Sequence, residues 1–139
     1  MSATDGAEAG LGTLPVHFKA EQAELEAAGI HRWLDLARLG DGDLRRLARR
    51  GASEQRLIKL RGQARLVAAL GLAPAEAALL LYAGIASADG LAEASPQQLV
   101  VQLGRLQRSL TGAAMPRVTA TTVRGWISAA RRATGRSPN

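Results

Sequence analysis

The sequence of 139 residues contains no cysteine. That absence excludes disulfides, thiolate metal sites and a cysteine nucleophile, and it accords with a reducing compartment. Histidine is almost as scarce: His17 and His31 are too few for a histidine-rich metal site. Aromatic residues make up 3% of the chain, against 47% hydrophobic residues overall. The core must therefore be built from Leu, Ala, Val and Ile, a composition that favours helices over a β-sandwich. Long apolar runs are missing as well. The longest, residues 77–86, is ten residues, whereas a membrane-spanning helix needs about 20, so no membrane association is expected. The first ten residues have neither a basic n-region nor an apolar h-region, so they read as neither a secretory signal nor a transit peptide. Residues 1–13 are expected to form a disordered acidic tail, and the expected location is cytoplasmic.

Acidic residues are absent after Glu93. The chain carries a net charge of +6, and sixteen of its eighteen basic residues are arginine. Such a balance suggests a polyanionic partner, although an Arg-, Ala- and Gly-rich chain also reflects GC-rich coding. The distribution is more informative than the total. Residues 1–37 sum to −4, residues 38–65 to +6, residues 66–93 to −3 and residues 94–139 to +7. A uniform compositional bias does not segregate charge in this way, so separate acidic and basic patches are expected on the surface.

Leucine and alanine recur at helical spacing along nearly the whole chain, and no stretch alternates with period two. Helices are expected over 18–28, 32–39, 43–50, 54–70, 74–83, 88–94, 96–110 and 120–133. Glycines close several of them, Ser53 and Ser95 provide N-caps, and Pro74 and Pro96 suit first turns. Residues 111–116 read as a loop and 134–139 as a frayed tail. The fold class is therefore all-α, a compact bundle of about eight short helices. At this length one domain, residues 14–133, buries about 68% of its unfolded surface and needs no covalent staple.

The packing signal recurs within the chain. Leu25, Ala28-Gly29-Ile30, Leu36-Ala37 and Leu44 match Leu80, Ala83-Gly84-Ile85, Leu91-Ala92 and Leu99 at a constant offset of 55 residues. Two pseudo-equivalent halves, about 18–65 and 73–120, follow from this. Two copies make a duplicated domain and not a solenoid.

Residues 66–80 resemble a helix-hairpin-helix. Gly71, Leu72, Pro74 and Ala77 match that motif, while Ala73 stands where it has a second glycine. In its DNA-binding members the hairpin N–H groups and the next helix N-terminus hold a phosphate, an arrangement favoured by unpaired donors and the helix dipole. Glu76 in the first turn opposes an anion there, and no basic residue lies between Leu66 and Glu93. The hairpin at Gly71, Leu72 and Ala73 is accordingly read as mainly structural.

A second turn is a better candidate anion site. Gly51, Ala52 and Ser53 precede a helix start and are surrounded by Arg45, Arg46, Arg49, Arg50 and Arg56, with Lys59, Arg61 and Arg65 continuing along the next helix. Arginine forks and the N–H groups of Ala52 and Ser53 could meet phosphates. The competing reading is a solvated charged face paired with Asp41, Asp43 and Glu54. The C-terminal arginines, including Arg105, Arg108, Arg117 and Arg136, add a second basic region. Arg124, Arg131 and Arg132 fall outside the apolar face formed by Val123, Trp126, Ile127 and Ala130. Cations near a helix C-terminus also have an ordinary dipole explanation. Trp126 and Trp33 sit at core spacing.

No catalytic arrangement stands out. The acids are scattered, and Glu21, Glu24 and Glu26 fit a solvated helix face. His17 and His31 lack a partner at useful spacing. Neither the phosphate-loop nor the dinucleotide-binding glycine pattern occurs. No enzyme activity, cofactor or metal is expected.

Taken together, the Ala-Gly-Ile and Leu-Ala repeats and the closing Val123, Trp126-Ile127, Ala130 helix resemble the bacterial domain-of-unknown-function 4332 group over about residues 14–133. That group is rich in cyanobacterial proteins and similar to tandem helix-hairpin-helix domains. The resemblance implies an all-α fold and no established activity. The leading expectation is a non-enzymatic nucleic-acid-binding protein that contacts phosphates, on DNA ahead of RNA, through Arg45, Arg46, Arg49, Arg50, Arg56, Lys59, Arg124, Arg131 and Arg132. The alternative is an interaction adaptor whose basic faces dock an acidic protein. One continuous basic stripe would favour nucleic acid. Pairing of the arginines with Glu21, Glu24 and Glu26 would favour the adaptor.

Overall fold

The fold is taken from a computed structural model that describes residues 5–109 and 118–135. These residues form nine α-helices: α1 (Asp5–Glu8), α2 (Lys19–Ala27), α3 (Trp33–Ala37), α4 (Asp41–Leu47), α5 (Glu54–Leu70), α6 (Pro74–Tyr82), α7 (Ala88–Ala92), α8 (Pro96–Ser109) and α9 (Ala120–Ala133), with a 3-10 turn over Val16–Phe18. Among the described residues the only strand-like pairing is an isolated bridge between Gly10 and Arg32. The protein is all-α. The expected loop at 111–116 and the tail beyond residue 135 lie outside the described residues.

The helix bounds follow the 55-residue offset. α2, α3 and the start of α4 map onto α6, α7 and the start of α8 at that spacing. The helix ends are built alike. Ile30 donates to the Leu25 carbonyl at 2.9 Å, and Ile85 donates to the Leu80 carbonyl at 2.9 Å. Between them Gly29 and Gly84 adopt φ of 80° and 85°. The resulting i+5 bond satisfies a carbonyl that the helix end leaves open, and it requires a residue that tolerates the left-handed conformation. A Cβ at Gly84 would have open space around it, so Gly84→Ala should cost only the backbone penalty, about 1 kcal/mol. Urea denaturation would measure this as a shifted midpoint with unchanged slope.

α5 is the central element. α3 packs on it from the first half and α6 follows it through the Gly71 hairpin, while α7 packs on α9 in the second half. Leu57, Leu60, Ala64, Leu66 and Val67 of α5 are buried, with Leu25, Leu36, Leu44, Leu79, Leu80, Leu91 and Leu103 around them. Trp33 and Trp126 both belong to this core. The aliphatic composition therefore closes one hydrophobic cluster without help from staples.

Two regions differ from the sequence reading. First, within the expected tail 1–13, the described residues 5–13 are not free: Ala7 and Leu11 are buried in the core cluster, together with Leu14 at the start of the domain. The Leu11 N–H donates to the His31 carbonyl at 2.8 Å, and Trp33 N–H donates to the Ala9 carbonyl at 3.2 Å. The spacing 7, 11, 14 is an apolar stripe that the small polar residues between obscure. Second, α4 begins at Asp41 and ends at Leu47, where 43–50 was expected. The Gly40 N–H donates to Asp43 Oδ2 at 2.8 Å, so Asp43 caps the helix from inside its first turn. At the other end Arg50 has φ of 55° and Gly51 has φ of 91°. The Ala52 N–H donates across them to the Arg49 carbonyl at 2.9 Å, which closes a tight turn and stops the helix early.

Candidate functional site

The arginine-rich turn between α4 and α5 sits against α2. Glu21 on α2 is 0% exposed and Glu24 is 6% exposed. Glu21 Oε2 accepts the Ser53 N–H at 2.7 Å and Arg56 Nε at 3.0 Å. Glu24 Oε1 accepts Arg49 Nε at 2.8 Å, and Arg50 lies 3.8 Å from Glu24 Oε2. The Ala52 N–H is committed to Arg49, and the Arg56 N–H is committed to the Ser53 hydroxyl at 3.0 Å. A carboxylate of the chain thus occupies the place where the sequence reading put a phosphate. Glu21 and Glu24, read as part of a solvated face, are buried structural acids. The spacing of Glu21 was a signal: it lies four residues before the buried Leu25, on the same side of the helix, and Glu24 follows Glu21 by one turn.

The hairpin between α5 and α6 is closed in the same manner. Gly71 takes φ of 67° as the C-cap of α5, and Leu72 is buried. The Ala73 N–H donates to Glu76 Oε1 at 2.9 Å. A carboxylate again takes the donor at which the resemblance would place an anion.

The remaining cations divide by partner. Arg46 pairs with Asp43, and Arg32 pairs with Asp35 at 2.9 Å. Arg61 is buried, reaches Asp41 at 2.8 Å and donates to the Leu39 carbonyl at 3.2 Å. The guanidinium partners hold the carboxyls of Asp35 and Asp41 below the usual aspartate range, in each case chiefly through a side-chain hydrogen bond, from Arg32 and Arg61 respectively. Arg65 donates only to carbonyls, at 3.2 Å to Ala37 and 3.4 Å to Leu39. Arg131 Nε donates to the Ala92 carbonyl at 3.1 Å. Among the described residues no carboxylate lies within ion-pair distance of Arg38, Arg45, Lys59, Arg65, Arg105, Arg124 or Arg132. Arg117 and Arg136, and the side chain of Arg108, lie outside the described residues.

Away from the arginine turn, a groove of about 600 Å³ lies over α5, between α3 and α7. Leu34 and Ala37 form one wall, Ala86 and Ala88 the other, and Ile58, Gly62 and Ala69 the floor. Arg38, Arg61 and Arg65 stand at one side, and Ser87 and Asp89 at the other. The sequence reading singled out none of Leu34, Arg38 or Ile58. Ile58 is a large apolar residue left 45% exposed on the outer side of α5, beside the exposed Lys59 and Arg65.

A family model described as a domain of unknown function, DUF4332, matches residues 15–133. The chain belongs to this family. No curated protein and no solved structure matches it. Within this DUF4332 domain the matched segment contains α2 to α9, the arginine turn and the whole groove. Among the described residues no helix is long and apolar enough to cross a membrane. Nor do any three metal-capable side chains gather there.

Proposed function

We propose that this protein is a non-catalytic interaction module of the cytoplasm that docks an acidic protein partner on its basic surface. One observation carries the reading. At both hairpins the backbone donors suited to phosphate are occupied by the chain's own glutamates, Glu21 and Glu76. The cations without a carboxylate at ion-pair distance include Arg38 and Arg65, which border an apolar groove. Positive charge with open coordination beside exposed apolar surface is the composition of a protein-docking patch, where charge sets orientation and burial sets affinity.

A second reading, nucleic-acid binding through the phosphate backbone, is favoured by a different observation. Residues 94–139 carry seven arginines and no acid, and Arg124 and Arg132 are exposed on α9. On this reading DNA ranks ahead of RNA, no bases are read, and Arg45 and Lys59 extend the contact.

Affinity capture with the tagged full chain, with and without nuclease, separates the two. The docking reading expects captured proteins that survive nuclease and are lost with an Arg38→Glu/Arg65→Glu variant. Capture that disappears on nuclease treatment, together with steeply salt-dependent anisotropy on labelled duplex DNA that an Arg124→Glu/Arg132→Glu variant abolishes, would replace it with the nucleic-acid reading.

A further inference from the structure

The groove over α5 has a construction that follows from the duplication. Its walls are α3 and α7, which are related by the 55-residue offset, so it lies at the seam between the two halves. The Ala86 side of the groove sits close on the floor because position 62 of α5 is glycine. A Cβ there would meet the Ala86 carbonyl oxygen at 3.1 Å and the Ala86 Cβ at 3.2 Å. The two walls nevertheless differ in chemistry. Leu34 of α3 corresponds to Asp89 of α7. One wall is therefore the more apolar, and the other is built of small residues and carries an acid.

We infer that this groove is the docking site for an acidic amphipathic helix of a partner protein, with the partner's apolar stripe on Ile58 and Leu34 and its carboxylates against Arg38 and Arg65. The inference rests on the docking reading above and makes it specific. Three features select this occupant. The first is charge. Arg65 is held in place by the Ala37 and Leu39 carbonyls, so its guanidinium is already positioned at the rim. No carboxylate lies at ion-pair distance from it or from Arg38 beside it, although Asp41 and Asp35 lie near enough to feel Arg65 and Arg38 respectively. A carboxylate partner meets two cations there and pays little for ordering Arg65. The second is the floor. Ile58, at 45% exposure, and the alanines offer a surface that a phosphate backbone has no means of using. The third is the geometry of the walls. Among the described residues no strand edge is available for an added strand, and a channel between two helices over a third accepts a helix lying in it.

The test titrates the isotope-labelled full chain with a panel of amphipathic peptides about 18 residues long, roughly five helical turns. The peptides have leucines at i, i+3, i+4 and i+7 and glutamates along one flank. Amide shifts locate the contact and anisotropy gives the affinity. The expected result is saturable binding with shifts confined to α3, the α5 face and α7. Binding should weaken about tenfold or more in Ile58→Asp and in Arg38→Glu, as loss of a central contact does. It should be kept in Arg65→Lys and in Arg124→Glu, and lost when the peptide glutamates become lysines. Ile58 and Arg38 are surface positions, and thermal unfolding checks that the variants fold. The inference is overturned if no peptide of the panel saturates, or if the shifts lie elsewhere. It is also overturned if sedimentation shows a dimer of the chain that Ile58→Asp dissociates, because a second copy then fills the groove. Nuclease-resistant capture that Ile58→Asp leaves intact would remove the groove while keeping the docking reading. Nuclease-sensitive capture would remove both.

Discussion

Replacing Glu21 with alanine should destabilise the protein by about 3 kcal/mol, the range for removing one member of a buried, hydrogen-bonded ion pair. The carboxylate is fully buried and links α2 to the start of α5 through two donors, Ser53 N–H and Arg56 Nε. Alanine leaves both unmet and opens a cavity. The cost stays below the upper end of the range because the Arg56 side chain is 42% exposed and rehydrates when released. Glu21→Gln keeps the shape and one acceptor, so it should lose about half as much. Arg56→Met should cost less than Glu21→Ala, since Glu21 then keeps the Ser53 donor. The double variant should fall short of the sum of the two, the signature of a direct interaction. Urea denaturation of the four proteins measures all of this. A further readout tests the idea that Glu21 occupies an anion position: inorganic phosphate should raise the melting temperature of Glu21→Ala more than that of the parent, by refilling the site. Equal shifts in the two proteins would show that the turn does not select an anion once the carboxylate is gone.

The same carboxylate marks the boundary of what the sequence makes legible. Helix spans are legible where caps and stops are local. α5 runs over 54–70, with Ser53 as its N-cap and Gly71 as its left-handed stop, and α9 runs over 120–133 from Thr119, both as the pattern indicates. The repeat is legible because a glycine at a left-handed helix end followed by an inward Ile is a local device that the duplication copied. Partner choice between distant segments is not legible in this way. Whether Arg49, Arg50 and Arg56 face solvent, phosphate or Glu21 and Glu24 depends on how α2 packs against the turn, and those residues are 25 to 35 positions apart. The block charges, −4 followed by +6, are compatible with either outcome. The groove is hidden for the same reason. Its lining comes from α3, α5 and α7, and only the fold shows that Leu34, Ile58 and Ala88 share a surface.

Leu11→Ala should cost about 2 kcal/mol, the low end for truncating a buried leucine, although its composition places it in a segment that looks unstructured. A leucine in a free tail would change stability by no more than about 0.5 kcal/mol. The difference lies in what residues 7–14 do. Leu11 and Leu14 are buried in the core, and backbone bonds to His31 and from Trp33 hold the segment beside α3. The Leu14 N–H adds a bond to Gln22 Oε1 at 3.0 Å. The segment contains little regular structure, so its docking free energy is limited and its loss should saturate. Once Leu11→Ala has loosened it, adding Leu14→Ala should cost less than Leu14→Ala does alone, because the double variant reaches the undocked state. Undocking also uncovers Trp33, which is 2% exposed, so its fluorescence should shift to longer wavelength before the global transition. Hydrogen exchange at the Leu11 amide gives the opening free energy directly. Additive costs with an unshifted tryptophan would mean that residues 7–14 unfold only with the whole domain and form part of its cooperative core.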